Sequence, residues 1–255
     1  MKINITKAKE AFKEYVKNYD PEDKKVKLKI EHIERVSQLA KQMAEKLKLD
    51  EEDIKLAELI GLLHDIGRFE QIRIYHTFTD KKSINHGEYG AKVLFEDGLI
   101  RKFIETDEFD EIIKIAIINH NRGRIEDGLT ERQLLHAKLV RDADKTDIFY
   151  ILLTGDEKIA WETDNMNNET ITDEIFREFM EDKHIDYKNI KTGGDSLVSH
   201  FAYIYDLYFK PAFKIFKERN YVEKLYNRFD FTNKDTAEKF RIIEEKTKQY
   251  IEEKG

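Results

Sequence analysis

The chain has 255 residues, of which 40% are apolar and 38% charged, and its net charge is −7. That length is enough to bury a sizeable core, as one large domain or two small ones. Basic residues are scattered among acidic ones, which argues against a nucleic-acid-binding protein because such proteins usually carry a basic footprint. The absence of cysteine excludes disulfides and thiolate metal sites, so a metal would need histidine and carboxylate ligands.

Strong helix formers dominate the composition, and apolar residues recur with a helical period along nearly the whole chain. Only two prolines and eleven glycines are available for turns. These features predict an all-α fold. No apolar run approaches the ~20 residues that span a bilayer, and the N-terminus lacks the apolar core of a signal peptide. We therefore expect a cytoplasmic protein that does not enter membranes.

In chain order, the pattern first predicts helices over 4–18, 24–48 and 51–66. The third of these is apolar on almost every side near its end, which is typical of a buried helix. Gly67 occupies the position expected of a glycine that ends a helix. Residues 68–85 are mixed in character and are expected to be an irregular connection.

The second half of the chain is also predicted to be helical. Thr130 and Gln133 form the pattern of a capping box that opens a helix, and Gly155 would end that helix. The aromatic side chains between 200 and 231 fit a buried helix face or a homo-oligomer contact better than a platform for stacking bases. The remaining predicted segments are helices over 86–97, 108–120 and 173–182, loops over 121–129 and 162–172, and helices after Gly193-Gly194.

Four of the eight histidines lie in helical, largely apolar segments, namely His32, His64, His86 and His120. Asp65 follows His64 directly at the end of the most apolar helix, where an unpaired buried carboxylate would be costly. A divalent metal beside neutral imidazoles would satisfy that carboxylate. A single inward-facing histidine is typical of a hydrogen-bonded core residue, but this interpretation would have to hold separately for every member of the set.

His32, the adjacent pair His64-Asp65 and a later aspartate in the segment RDADK occur in an order that resembles the HD superfamily of metal-dependent phosphohydrolases. The resemblance covers roughly residues 25–150. It implies an all-α HD-domain helical bundle, with additional N- and C-terminal helices in this chain. The last ligand of the family usually stands in an Ala-Asp pair, which favours Asp144 over Asp142.

His86 and His120 extend the resemblance to the dinuclear members, which include bacterial diadenosine-tetraphosphate hydrolases. The same order occurs in HD-type di-iron oxygenases such as inositol oxygenase. The resemblance therefore implies divalent metal, with two ions expected and with Fe, Mn, Mg, Co, Ni and Zn not distinguished. The implied ligands are His32, His64, Asp65 and Asp144 for one ion, and Asp65, His86 and His120 for the other.

Basic residues close to the expected ligands are candidates for contacts with phosphate, namely Arg68, Arg122, Arg124 and Lys145. Lys145 resembles a phosphate-contacting position of some family members. We expect Asp65, Arg68 and Lys145 to take part in catalysis, and Lys145, Arg122 and Arg124 to bind a small phosphorylated substrate such as a nucleotide. For each basic residue, a solvated surface cation is the alternative interpretation.

The leading hypothesis is a phosphohydrolase that uses a metal-activated water. Two alternatives stay open, an HD-type di-iron oxygenase and a non-catalytic metal-binding regulatory module, because the ligands alone do not separate them. The expected organisation is an N-terminal helix over 1–19, an HD-type domain over 20–160 and a C-terminal helical extension over 161–255, packed on that domain.

Overall fold

The computed structural model describes residues 2–161, 163–181 and 185–255. These residues are predominantly α-helical, and no β-strand occurs among them, which confirms the all-α prediction. The ends of two predicted segments, residues 162 and 182, lie outside the described residues. Contacts between residues divide the chain into two compact units, 1–144 and 145–255. No helix in the described part combines the length and apolar character that crossing a bilayer requires.

The first unit is a bundle of helices of very different lengths. Its helices are α1 (Ile5–Val16), α2 (Lys24–Lys46), α3 (Glu51–Leu63), α4 (Gly67–Tyr75), α5 (His86–Ala91), α6 (Ile100–Phe103), α7 (Asp110–His120) and the first part of α8 (Glu131–Thr154). The predicted capping box opens α8, because the amide N–H of Gln133 donates to Thr130 Oγ1 while the Gln133 side chain accepts from the Thr130 amide.

The core of the first unit is organised around α3. Every residue from Leu56 to Leu63 is buried, as expected for a helix that is apolar on all sides. α2 packs along α3 so closely that a Cβ atom on Gly61 would lie only 2.8 Å from the Ser37 Cα. This close approach brings the inward face of α2 next to the end of α3.

The segment after α3 differs from its prediction. α4 begins at Gly67, so the first half of the stretch expected to be irregular is helical. Gly67 also does not end a helix in the left-handed conformation, since the only positive-φ glycines among the described residues are Gly98 and Gly128. A Cβ atom on Gly67 would lie 2.3 Å from the carbonyl oxygen of His86. Glycine at this position therefore lets α4 approach the first residue of α5.

The second unit is held together by aromatic side chains. The Phe149 ring packs edge-on against Phe201 and Phe216, with ring centroids 5.8 and 4.6 Å apart, and Phe201 packs in the same way against Phe240. These rings are buried, so core packing accounts for much of the aromatic C-terminal sequence. Besides the end of α8, the helices here are α9 (Glu157–Trp161), α10 (Asp173–Met180), α11 (Gly193–Phe201), α12 (Lys210–Glu218), α13 (Tyr221–Tyr226) and α14 (Lys234–Lys254).

Candidate metal centre

Four helices of the first unit and the junction between two others bring the six predicted ligands together. α2 carries His32, the junction between α3 and α4 carries His64 and Asp65, α5 begins with His86, α7 ends with His120, and α8 carries Asp144. The four histidines and Asp65 are buried, and the Asp144 side chain is 14% exposed. Asp142 is also buried, but it lies about 200° away from Asp144 around α8. Among the described residues, the side chains of His32, His64 and Asp144 form one group that could hold a metal ion.

One half of the cluster consists of two histidines and two carboxylates. His32 Nε2 lies 3.1 Å from Asp144 Oδ1 and 3.5 Å from Asp65 Oδ2. His64 Nε2 lies 3.6 Å from each of the same two oxygens. Two imidazole nitrogens therefore converge on one oxygen of each aspartate.

The other half of the cluster is built on the second oxygen of Asp65. His86 Nε2 lies 3.3 Å and His120 Nε2 lies 3.5 Å from Asp65 Oδ1. The two Nε2 atoms are themselves 3.0 Å apart. Asp65 thus presents Oδ2 to one pair of histidines and Oδ1 to the other.

Hydrogen bonds to Nδ1 fix which nitrogen of these imidazoles carries the proton. His64 Nδ1 lies 2.8 Å from the Gly61 carbonyl oxygen, and His120 Nδ1 lies 2.6 Å from the Ile117 carbonyl oxygen. Since a carbonyl oxygen can only accept, both Nδ1 atoms must donate. A neutral ring then carries a bare lone pair on Nε2, which points into the cluster.

Asp80 has the same effect on His86. Its Oδ2 lies 2.7 Å from His86 Nδ1, and its Oδ1 accepts from Arg68 Nη1 at 3.0 Å and from Gln71 Nε2 at 2.8 Å. With Nδ1 donating to a carboxylate, His86 also presents a lone pair at Nε2. Two lone pairs 3.0 Å apart, those of His86 and His120, repel each other unless a cation lies close to both.

The charge states of the cluster suit a metal ion. Burial lowers the pKa of His64, and burial together with the nearby Arg68 charge lowers the pKa of His86 to about 3. Burial opposes ionisation of Asp65, but the nearby charge of Lys29 and contacts with the histidines hold the pKa of this carboxyl well below its usual range. Near neutral pH His64 and His86 are therefore neutral and the Asp65 carboxylate is ionised, which is the state in which these side chains bind metals.

Unpartnered polar atoms support the same interpretation. His64 Nε2 and Asp65 Oδ1 are buried and have no hydrogen-bond partner among the described residues. Buried polar atoms are normally paired, so each exception requires an explanation. A divalent cation bound by nitrogen and oxygen ligands would satisfy both atoms, and the residues present therefore fit such an ion.

Comparison with known families gives one match. Residues 30–148 match the family model described as HD domain. This segment of the chain is an HD domain. Neither a search of curated proteins nor a search of solved structures found a match. The matched HD-domain segment contains all six residues of the cluster. Two groups among them, His32, His64 and Asp144 and also His64, Asp65 and His120, are consistent with divalent metal binding by the HD domain.

The four basic candidates fall into two groups. Arg68 belongs to the wall of the cluster, with Nε 3.6 Å from Asp65 Oδ1. The others pair with acidic side chains away from the cluster: Arg122 with Glu126 at 2.7 Å, Arg124 with Asp127 at 2.9 Å, and Lys145 with Asp206 at 3.0 Å. Lys145 and Asp206 both belong to the second unit. The catalytic and substrate-binding roles expected of these residues stay predictions.

Three residues near the cluster were not among the predicted site residues. Lys29 Nζ donates to Asp65 Oδ2 at 2.5 Å. The fully buried Arg141 donates through Nη1 to the carbonyl oxygens of Asn119 and Arg122, both at 2.6 Å, and so binds the end of α7 to α8. Lys29 and Arg141 each stand three residues before a predicted ligand on the same helix, which is a usable sequence signal. Asp80 lies in an irregular segment and carries no such signal.

Proposed function

We propose that this HD domain is a metal-dependent phosphohydrolase that acts on a small phosphorylated substrate. The substrate would be a phosphomonoester, a nucleotide or a phosphodiester. The observation that carries the proposal is the position of Asp65, which presents one oxygen to each pair of histidines. A carboxylate placed in this way suits a bridge between two divalent ions. His32, His64 and Asp144 would complete the ligands of one ion, and His86 and His120 those of the other.

Divalent ions bound there would supply a water that loses its proton near neutral pH and a Lewis acid for a phosphoryl oxygen. The chain itself supplies orientation. The Nδ1 hydrogen bonds of His64, His86 and His120 hold their rings with Nε2 directed inward. Burial of the cluster keeps competing hydrogen-bond donors away from these nitrogens.

The charges around Asp65 favour an anionic substrate. Lys29 Nζ contacts one oxygen of Asp65, and Arg68 Nε lies 3.6 Å from the other. Two permanent cations beside a metal centre attract a phosphate ester and offer little to a neutral polyol. This observation favours the phosphohydrolase over a di-iron oxygenase that acts on a polyol, although a phosphonate substrate would share the charge preference.

The proposal is tested by phosphate release from a panel of substrates. The full chain would be stripped with a chelator, reloaded separately with Mn, Fe, Co, Mg, Ni or Zn, and assayed on p-nitrophenyl phosphate, its bis ester and nucleoside phosphates. We expect hydrolysis with at least one metal. Asp65→Asn and His64→Ala should lower the rate at least about 100-fold, whereas Asp97→Asn, at an exposed acid that pairs with Lys92, should leave it unchanged.

Two outcomes would replace this proposal. Oxygen uptake by an anaerobically purified, iron-loaded protein, without phosphate release, would favour the oxygenase. Tight metal binding without turnover on any of these substrates would favour a non-catalytic regulatory module.

A further inference from the structure

Lys29 is placed next to the metal cluster by the helical repeat. It precedes His32 by three residues on α2, so both side chains lie on the inward face of that helix. The Lys29 residue is only 9% exposed. Its Nζ lies 2.5 Å from Asp65 Oδ2, the oxygen that also faces His32 and His64.

The ammonium group of Lys29 has unused donor capacity. A lysine ammonium carries three N–H donors, and the contact with Asp65 uses one of them. The other close neighbour is the ring of the half-buried Phe78, whose centroid lies 5.4 Å from Nζ. An aromatic face attracts the cation but accepts no conventional hydrogen bond. Two donors therefore remain for the oxygens of a ligand that reaches the cluster.

Two other basic residues near the cluster, Arg68 and Arg122, use donors in contacts away from the expected ligands. Arg68 Nη1 donates to Gln71 Oε1, to the Phe78 carbonyl oxygen and to Asp80 Oδ1, at 2.6, 2.6 and 3.0 Å. Arg122 lies at the surface, where it pairs with acidic neighbours. Arg68 Nε has no hydrogen-bond partner among the described residues but stands 3.6 Å from Asp65 Oδ1, whereas Lys29 Nζ is in direct contact with Asp65 Oδ2 at 2.5 Å.

A cation in this position has two opposite effects. Its charge lies against the carboxylate oxygen that a divalent ion would use, so it lowers the affinity of the cluster for metal. A phosphate group that accepts from Lys29 would neutralise this charge, so metal and phosphate would each raise the affinity of the other. Such coupling is reciprocal and typically amounts to about 5–150-fold.

We propose that Lys29 is the phosphate-binding residue of the HD domain and that it makes divalent metal and phosphate bind cooperatively. The inference rests on the proposed function, because it assigns the phosphoryl group of the substrate to Lys29. It goes beyond that function by making a lysine outside the ligand set responsible for the mutual effect of metal and phosphate on each other's affinity.

The test measures metal affinity rather than turnover. Metal-free full chain would be titrated with Mn²⁺ by calorimetry, with and without inorganic phosphate. We expect phosphate to raise the Mn²⁺ affinity of the wild type at least about 5-fold. Lys29→Met should bind Mn²⁺ without phosphate at least as tightly as the wild type and should lose the effect of phosphate.

Two further variants make the result specific. Lys29→Arg keeps the charge and should retain most of the coupling, which separates a role of the charge from damage to packing. Lys27→Met removes an exposed lysine of the same helix that pairs with Glu22 at 3.2 Å, and it should behave as the wild type. Circular dichroism would confirm the helical content of each variant.

Three results would overturn the role of Lys29: no effect of phosphate on the wild type, full coupling in Lys29→Met, or equal loss of coupling in Lys27→Met. Its failure is distinguishable from failure of the proposed function. Hydrolysis without coupling would overturn only the role of Lys29, whereas coupling without hydrolysis of any phosphorylated substrate would overturn only the phosphohydrolase.

Discussion

At the scale of single residues, the metal cluster depends on the groups that hold its histidines. Two of these groups are backbone carbonyl oxygens three residues before the histidine they hold, Gly61 for His64 and Ile117 for His120. The helical backbone itself places them there. The third is the side chain of Asp80, which holds His86. Partners of this kind set the tautomer and basicity of a metal ligand. Asp80 is therefore the partner whose role mutation tests most directly.

Replacing Asp80 by alanine should weaken metal binding at the His86 half of the cluster. Loss of a hydrogen-bonding partner of a metal-bound histidine typically lowers metal affinity about 10–100-fold. We expect one of two binding steps to weaken by this factor in calorimetric titrations with Mn²⁺, while the other changes little. Asp97→Asn is the matched control, at an exposed acid of the same unit. Unchanged affinity in both steps would contradict the role given to Asp80.

The buried histidines should make the metal-free protein sensitive to acid. Burial lowers the pKa of His86 to about 3 in the folded chain, against about 6.5 in an unfolded chain. Between these values the unfolded chain binds the extra proton, so stability falls as pH decreases below about 6.5. From pH 7 to pH 5 this single histidine should lower the free energy of unfolding by about 2 kcal/mol.

Urea denaturation of the metal-free wild type and of His86→Asn at both pH values would check this expectation. The variant should lose about 2 kcal/mol less than the wild type over the interval. An identical pH dependence in the two proteins would show that His86 does not stay neutral in the folded chain.

The four histidines and Asp65 could be predicted because the sequence places them in apolar helical segments, whereas the choice of Asp144 over Asp142 came from the resemblance to the family. His64 and Asp65 interrupt an apolar helix, and His32 shares the apolar face of α2 with Ile33 and Val36. Lys29 and Asp80 lack this contrast with their surroundings, and for Lys29 the only sequence signal is its position three residues before His32. A lysine in a helix rich in lysine resembles a surface residue, and Asp80 acquires its role only when the chain folds back onto His86.

At the scale of elements, the junction between α3 and α4 determines the geometry of the cluster. α3 ends at Leu63 and α4 starts at Gly67, so His64 and Asp65 lie in the short turn between two helices. The sequence led us to expect one helix to residue 66 and then an irregular segment. Gly67 resembled a helix-ending glycine. Glycine is needed there because α5 approaches α4 closely, and a contact between two helices cannot be predicted from a local sequence pattern.

Gly67→Ala should therefore disturb the cluster although it changes no ligand. The added methyl group would lie 2.3 Å from the carbonyl oxygen of His86, so α4 and α5 must move apart. We expect a loss of about 1–3 kcal/mol in the free energy of unfolding, together with weaker metal binding. Gly98→Asn is a suitable control, since no atom lies within 4 Å of a Cβ there and asparagine tolerates its positive φ. Wild-type stability in Gly67→Ala would contradict this account.

At the scale of the whole molecule, the boundary between compact units falls inside a helix. The first unit ends at residue 144, in the middle of α8, whereas a domain extending to about 160 was expected. The expected domain limits stay a prediction, as does a homo-oligomer. Helical periodicity continues through α8 without interruption, so the sequence pattern contains nothing that would mark a boundary there.

Metal should stabilise the whole chain against heat. An ion that binds only the folded form adds about 4 kcal/mol at a free concentration 1,000 times its dissociation constant. We expect a chelator to lower the melting temperature and excess Mn²⁺ to restore it. Asp65→Asn, which alters the carboxylate shared by both halves of the cluster, should respond only weakly to either addition. A melting temperature of the wild type that is independent of both additions would mean that the folded chain holds no metal.

The central claim is that Asp65 joins two divalent ions, each held by one pair of histidines. Anomalous X-ray scattering from crystals of the full chain grown with Mn²⁺ tests it most directly. We predict two anomalous peaks on either side of the Asp65 carboxylate, one beside His32, His64 and Asp144 and the other beside His86 and His120. A single peak, or none within the cluster, would contradict this account.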